Sequence, residues 1–192
     1  MSNQTNSDMN VIKRNGELEP VSFDKIIRRI RYFASNPTKL TVDSISVAQK
    51  VIGSIKDNMS TTEIDNHTCE VAANNITDHP DYGILATRIS VSNHQKNTID
   101  CFTGIIEKLY RKKRNGKHCP SVNKNFYKFV NIHKGFLNEM MKPERDNRLN
   151  FFGLSTLLSK YLLKDDNGVV VETPQSMWAR VAIAIHMNRT DI

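Results

Sequence analysis

Asn15-Gly16 lies between two short β-prone runs, Val11–Lys13 and Glu17–Val21, and this dipeptide is well suited to the positive φ angles of a tight hairpin turn. The chain therefore doubles back near its start. From Ser22 the period changes to helical, with Phe23, Ile26, Ile27 and Ile30 on one face and Ser22 or Asp24 available as the cap. Lys13 and Arg14 flank the turn, and Lys25 falls in the first helical turn, where free N–H groups and the positive end of the helix dipole favour an anion. Cations beside a turn are also commonly just solvated, so the residues alone leave open a phosphate site or a plain charged surface.

Further along, Thr41 is positioned to cap a second helix carrying Ile45, Ala48, Ile52 and Ile55, with Asp57-Asn58 as its stop. Ser60 and Glu63 have the spacing of a capping box, which predicts a third helix running to about Ile76. His79-Pro80-Asp81 opens a fourth, with Leu85, Ile89 and Ser92 on one side, and Ile99, Phe102, Ile105, Ile106 and Leu109 form another helical stripe. Phe126, Phe129, Val130 and His133 predict a short amphipathic helix. The apolar stripe Leu154, Leu157, Leu158, Tyr161 and Leu162 requires a cover, for which Trp178 is the candidate. Asp165–Gly168 reads as a turn before Val169–Val171. Thr173-Pro174 reads as the cap and first residue of a last helix bearing Met177, Trp178, Val181, Ala182 and Ile185. These signals divide the chain into a disordered tail over 1–10, a first domain over 11–100 and a mostly helical extension over 101–192.

Composition removes several function classes. The longest apolar run, Val181–Ile185, is too short to span a bilayer, and Met1–Asn10 lacks the apolar centre of a signal peptide, so a soluble, cytoplasmic protein without membrane partners is expected. Cys69, Cys101 and Cys119 are odd in number and widely spaced, which fits neither a disulfide framework nor a zinc ribbon. The six histidines show no ligand spacing, and no protein-bound metal is expected. The net charge of +7 attracts polyanions in general. Much of the excess is local: Arg111-Lys112-Lys113-Arg114 with Lys117 reads as a nucleic-acid contact, a nuclear address or a solvated loop.

Lys13-Arg14-Asn15-Gly16, Glu19 and Phe23-Asp24-Lys25-Ile26 resemble the opening of the ATP-cone, a regulatory domain at the N-terminus of many ribonucleotide reductase large subunits. The likeness continues through Thr61-Thr62-Glu63-Ile64-Asp65, His79-Pro80-Asp81-Tyr82, Ser92-Asn93, Lys96, Asn115-Gly116-Lys117-His118, Phe152-Gly153-Leu154, Pro174-Gln175, Arg180-Val181 and Ile185-His186, in the order found in class I, eukaryotic-type large subunits. It implies a mainly α fold: a small β-hairpin sheet capping a four-helix bundle, then a mostly helical extension, with the catalytic ten-stranded barrel absent. It further implies ATP or dATP, with Mg²⁺, as allosteric effector. Lys13, Arg14, Lys25 and Lys96 would hold phosphates. The segment Glu19, Pro20, Val21, Ser22 and Phe23 would cover the base, with Asp24 beside it, and Thr61 and Asp65 would read the sugar.

The family's catalytic cysteines, glutamate and asparagine lie downstream of the last matched motif, so this chain is expected to be inactive alone. Its implied partners are the catalytic remainder of the large subunit, the small subunit indirectly, and further copies of itself. Two departures stand out. Leu158-Ser159-Lys160 occurs where the family commonly has a Glu-Arg pair, and Asn15 replaces the usual aspartate. Two other readings compete: a nucleic-acid-binding regulator built on an ATP-cone, and a structural domain that binds the rest of a reductase in trans.

Overall fold

The computed structural model describes residues 9–99 and 101–188; most of the expected tail, residues 1–8, lies outside them. The chain forms two compact units that divide between Asn93 and His94, and each is described by itself.

In the first unit, β1 (Asn10–Ile12) pairs antiparallel with β2 (Leu18–Pro20), Val11 opposite Glu19, as the Asn-Gly turn requires. A third strand, β3 (Met59–Ser60), joins β1 in parallel, with Ile12 opposite Ser60. Around this sheet run α1 (Phe23–Ser35), α2 (Ser44–Ile52), α3 (Thr61–Asn74) and α4 (Asp81–Lys96), the last crossing the division between the units. The expected hairpin sheet on four helices is therefore present, with one strand more. The core is aliphatic and built from all four helices: Ile30, Val47, Val51, Ala72, Leu85 and Ile89 are essentially inaccessible, and each large aliphatic side chain among them contributes about 1.5–3 kcal/mol of burial.

The second helix starts differently from expectation. Asp43, not Thr41, caps α2, its Oδ1 accepting from Ile45 N and Ser46 N at 3.0 Å each. Thr41 N donates instead to Asp81 Oδ2 at 2.6 Å. Arg88 seals the loop between α1 and α2. Its guanidinium donates to the carbonyls of Phe33 and Thr38 at 2.7 and 2.9 Å, satisfying backbone oxygens that would otherwise be buried unpaired. Cys69 is buried in α3, and burial pushes its thiol well above the ordinary value, which suits packing and not nucleophilic chemistry.

The second unit packs α5 (Phe102–Tyr110), α6 (Lys124–Ile132) and α7 (Lys134–Met140) around Phe102, Ile105, Ile106, Leu109, Phe126 and Val130. Between α5 and α6 the basic run folds into a small hairpin, β4 (Lys113–Arg114) and β5 (Lys117–His118). Asn115 and Gly116 both take positive φ, +52° and +76°. α8 (Phe151–Thr156) passes into a π-helical turn over Leu157–Tyr161, and α9 (Pro174–His186) closes the unit. Thr173 Oγ1 accepts from Ser176 N at 3.2 Å with Pro174 at the first helical position, as expected. Trp178, expected to cover the Leu154–Leu162 stripe, is 47% exposed; within that stripe only Leu154 and Leu162 are buried. The π turn rotates Leu157, Leu158 and Tyr161 off the straight helical line that the spacing suggests.

Both sheets are small and open, and there is no closed barrel among the described residues. Among those residues, too, no helix is long and apolar enough to cross a membrane, and no cluster of three or more His, Cys, Asp or Glu could hold a metal ion.

Candidate functional site

The hairpin turn is held by Lys13 N to Glu17 O at 2.8 Å and Gly16 N to Lys13 O at 2.9 Å, with Gly16 at φ +85°. A side chain there would be strained, so the glycine is required by the backbone. Asn15 adds a local clasp, its Oδ1 accepting from Glu17 N at 3.1 Å. On β2 of this hairpin, one acid collects cations from the turn and from the first turn of α1. Glu19 is ion-paired with both Lys13 and Lys25. Hydrogen bonds from Lys13 and then Lys25 hold its carboxyl down to about 2, and Glu19 in turn raises the Lys13 ammonium above its ordinary value.

The amino end of α1 lies beside this pair. Ser22 occupies the N-cap position, but its hydroxyl makes no cap hydrogen bond. Asp24 is exposed in the first turn, Phe23 is half-buried, and Val21 N donates to Met9 O at 2.8 Å. Pro20 ends β2, exposed.

A second cluster forms around Asp65, which is 5% exposed. Arg29 donates to it through two nitrogens, Nε to Oδ1 at 2.7 Å and Nη2 to Oδ2 at 2.9 Å. Arg14 Nη2 reaches the same Oδ2 at 3.2 Å and Asn93 Oδ1 at 2.5 Å. Asn93 in turn donates to Asn66 Oδ1 at 2.8 Å and Thr62 O at 3.3 Å. The Arg29 guanidinium lies 5.1 Å from the Phe33 ring centroid, a favourable cation–π placement. Beside Asp65 opens a crevice of about 20 Å³ lined in part by Ile26, Ile64 and Thr68, room for a group of water size. Thr61 is the first residue of α3, directly after the Ser60/Glu63 capping box, in which Glu63 N donates to Ser60 Oγ at 3.1 Å and Ser60 N to Glu63 Oε2 at 2.8 Å.

The site residues read from the sequence thus fall into two groups. Lys13, Lys25 and Glu19 meet at the β-ribbon and the start of α1, and Arg14 and Asp65 meet at α3. Lys96, the last residue of α4, is exposed and belongs to the second unit. Sequence reasoning missed Arg29 and Asn93. One signal for Arg29 existed: it interrupts the apolar stripe Ile26, Ile30 and Phe33 of α1, where an inward charge needs a partner. Asn93 gave no local signal of its role.

Comparison with known proteins adds the family. Residues 9–97 match the ATP cone domain, and residues 147–192 match the ribonucleotide reductase all-alpha domain. The chain is 45% identical over 180 residues to the ribonucleoside-diphosphate reductase large subunit of Variola virus, covering 93% of this chain and 23% of that protein. It is 44% identical over 185 residues to the large subunit of Dictyostelium discoideum, covering 94% of this chain and 21% of that one. Against large chain 2 of Saccharomyces cerevisiae it is 39% identical over 180 residues, covering 93% and 21%. The chain therefore spans somewhat under a quarter of the length of these relatives. With the hairpin, the four helices and the α9 region each matched in order, the chain carries an ATP-cone followed by a ribonucleotide reductase all-alpha domain and belongs with the N-terminal region of ribonucleoside-diphosphate reductase large subunits.

Proposed function

We propose that residues 11–100 form an allosteric effector domain that binds ATP or dATP at the β-ribbon and the amino ends of α1 and α3, and that residues 101–192 link it to the catalytic part of a reductase. The observation that carries this reading is the convergence of Lys13 and Lys25 on one carboxylate, Glu19, beside a helix start whose Ser22 makes no cap bond. Two lysines that meet on a carboxylate can meet on a phosphate, and the N–H groups of the first turn of α1 add donors aimed at the same anion.

A triphosphate carries more charge than Glu19 and would take both lysines from it, with Mg²⁺ offsetting the repulsion between the phosphates and the displaced carboxylate. Arg14 would add a third cationic contact. The Glu19–Phe23 segment with Asp24 would border the base, while Thr61 and Asp65 face the sugar. Regulation then requires that ATP and dATP bind alternative assemblies of the enzyme with different affinities.

The whole protein would reduce ribonucleoside diphosphates in the cytoplasm as a homo-oligomer working with a small subunit, and this chain would be the sensing part, without catalysis of its own. Calorimetry on the 192-residue chain tests the reading. ATP and dATP should both bind, and Lys25→Ala should weaken both by about tenfold or more, as loss of one charge-assisted phosphate contact predicts. Absence of binding by either nucleotide to the unaltered chain would overturn it.

A further inference from the structure

The chain's positive excess belongs to its second unit. Residues 94–192 hold 17 Lys and Arg against nine Asp and Glu, a net of +8, while residues 1–93 come to −1. The densest part is Arg111–Lys117, for which the effector reading has no task. In the fold it is not a loose loop. Lys113 and Arg114 pair antiparallel with His118 and Lys117, and Cys119 N donates to Lys112 O at 2.8 Å, so a two-stranded ribbon follows α5. Positive φ at both Asn115 and Gly116 gives the tight turn that closes it.

The acids nearest the ribbon hold its main chain and do not neutralise its tip. Asp166 directs both carboxylate oxygens at the backbone N–H of Lys113, at 3.0 and 3.1 Å. Asp165 pairs with Lys108 on α5 at 2.8 Å and accepts from Asn167 N and Val169 N, each at 3.0 Å. Lys112 donates to the Lys164 carbonyl at 2.9 Å, and Arg111 pairs with Glu107 at 2.8 Å. His118 Nε2 lies 2.7 Å from Tyr110 O, and the Tyr110 ring stacks on Tyr127 at 4.1 Å, which anchors the base of the ribbon. The side chains of Lys113, Arg114 and Lys117 remain exposed and make no ion pair among the described residues. Arg114 stands directly opposite Lys117, where like charges repel, and an anion bound across the pair removes that repulsion.

The geometry separates the partners such a run could take. A receptor that reads an extended basic segment has to unzip the ribbon first. A protein partner needs apolar or aromatic anchors, whereas the exposed strand residues here are Lys113, Arg114, Lys117 and His118. A phosphodiester backbone needs only cations on a rigid support. A two-stranded ribbon also fits the major groove of B-form DNA, about 12 Å wide, while the A-form groove of duplex RNA is too narrow for side chains to enter.

We propose that the β4–β5 ribbon is a contact for duplex DNA that reads no bases: Arg114 and Lys117 take phosphates on one face of the ribbon and Lys113 takes one on the other. The site lies wholly in the second unit and is independent of the effector reading.

The test is fluorescence anisotropy of the full chain on a labelled mixed-sequence DNA duplex of about two helical turns, from about 50 to about 200 mM NaCl. Each phosphate contact contributes about −0.9 to the slope of log affinity against log salt, so the loss of three flattens it by about 2.7. The triple variant Lys113→Gln, Arg114→Gln, Lys117→Gln should show that change and bind about tenfold more weakly or worse at the lowest salt. Lys134→Gln, Arg148→Gln, Lys160→Gln removes the same charge from exposed positions outside the ribbon and should keep most of the wild-type slope. If the ribbon variant fails to fold, as judged by far-ultraviolet circular dichroism, Arg114→Gln and Lys117→Gln taken singly carry the test, each flattening the slope by about 0.9. A slope unmoved by the variants that carry the test overturns the proposal, as does absence of binding by the unaltered chain. Equal losses from the two triple variants would assign the binding to net charge, equal displacement by polyglutamate at matched charge would assign the ribbon to an acidic protein, and tighter binding of an RNA duplex would exclude the groove; each of these also overturns it.

Discussion

Glu172 is fully buried and accepts from Arg180 twice, Nε to Oε1 at 2.5 Å and Nη2 to Oε2 at 3.0 Å, while Oε2 also takes the backbone N–H of Leu163 at 2.9 Å. The pair fastens α9 to the segment that follows the π turn. Arg180→Ala leaves the acid buried without its counter-ion, and such a loss costs about 3–5 kcal/mol. Urea unfolding followed by the fluorescence of Trp178, the sole tryptophan, reads the second unit directly and should show that shift.

The neighbouring histidine sets a pH dependence. His94 Nε2 lies 2.7 Å from Glu172 O, and burial keeps its pKa below the ordinary 6.5. The unfolded chain therefore takes up a proton before the folded one does. The stability tied to neutral His94 is fully present above about 6.5 and is lost as pH falls below it. A His94→Gln chain should lack this dependence, so the stability difference between the two proteins should be flat above neutrality and move against the wild type on acidification. Parallel curves from about pH 7 to about pH 5 would contradict the argument.

At the β-ribbon the sign is the same but the window is lower. Glu19 is held near 2 by Lys13 and Lys25, against 4.5 for a free glutamate. Its contribution is complete above about 4.5 and disappears as pH falls through about 2. Carboxyl NMR should place the Glu19 titration near 2, returning toward the ordinary value in a Lys13→Ala, Lys25→Ala double variant. An unshifted wild-type titration would mean that the two lysines do not share this acid.

Ser60 offers a measurable stability change of its own. Its hydroxyl accepts from Glu63 N, and the Glu63 side chain returns the contact to Ser60 N. Ser60→Ala should destabilise the chain by about 0.5–2 kcal/mol, the usual worth of an N-cap. Thermal unfolding by circular dichroism checks it, and Ser60→Asp, which restores an acceptor, should recover most of the loss.

Local chemistry was legible from the residues. Asn15-Gly16, the Ser60/Glu63 box and Thr173-Pro174 each act over a few residues, and each forms as expected. Asn115-Gly116 carries the same turn signal as Asn15-Gly16, yet its strands are two residues long and polar, so no alternation of apolar and polar side chains announced a hairpin. Strand β3 escaped because it, too, is only two residues long. Thr41 and Asp43 are both capping residue types, but α2 starts at Ser44, which makes Asp43 the N-cap and leaves Thr41 two residues outside it.

At the candidate site, the hairpin cations were readable because they cluster in sequence. Arg29 gave only its place within an apolar stripe, which asks for a partner without naming it, and Asn93 gave no sign of its role, since their partners lie 36 and 79 residues away, at Asp65 and Arg14. Lys13, Arg14 and Lys25, which the residues suggested as free phosphate ligands, are in the fold already engaged with Glu19 or Asp65, an arrangement that composition and spacing do not encode.

Ser60 is the last rung of the parallel ladder, facing Ile12, and also the residue that starts α3. No slack peptide separates the two roles. A tug on the ribbon is delivered to Thr61 through a single covalent bond, so the ribbon and α3 behave as one rigid joint, and any guest that tilts the ribbon also steers the helix.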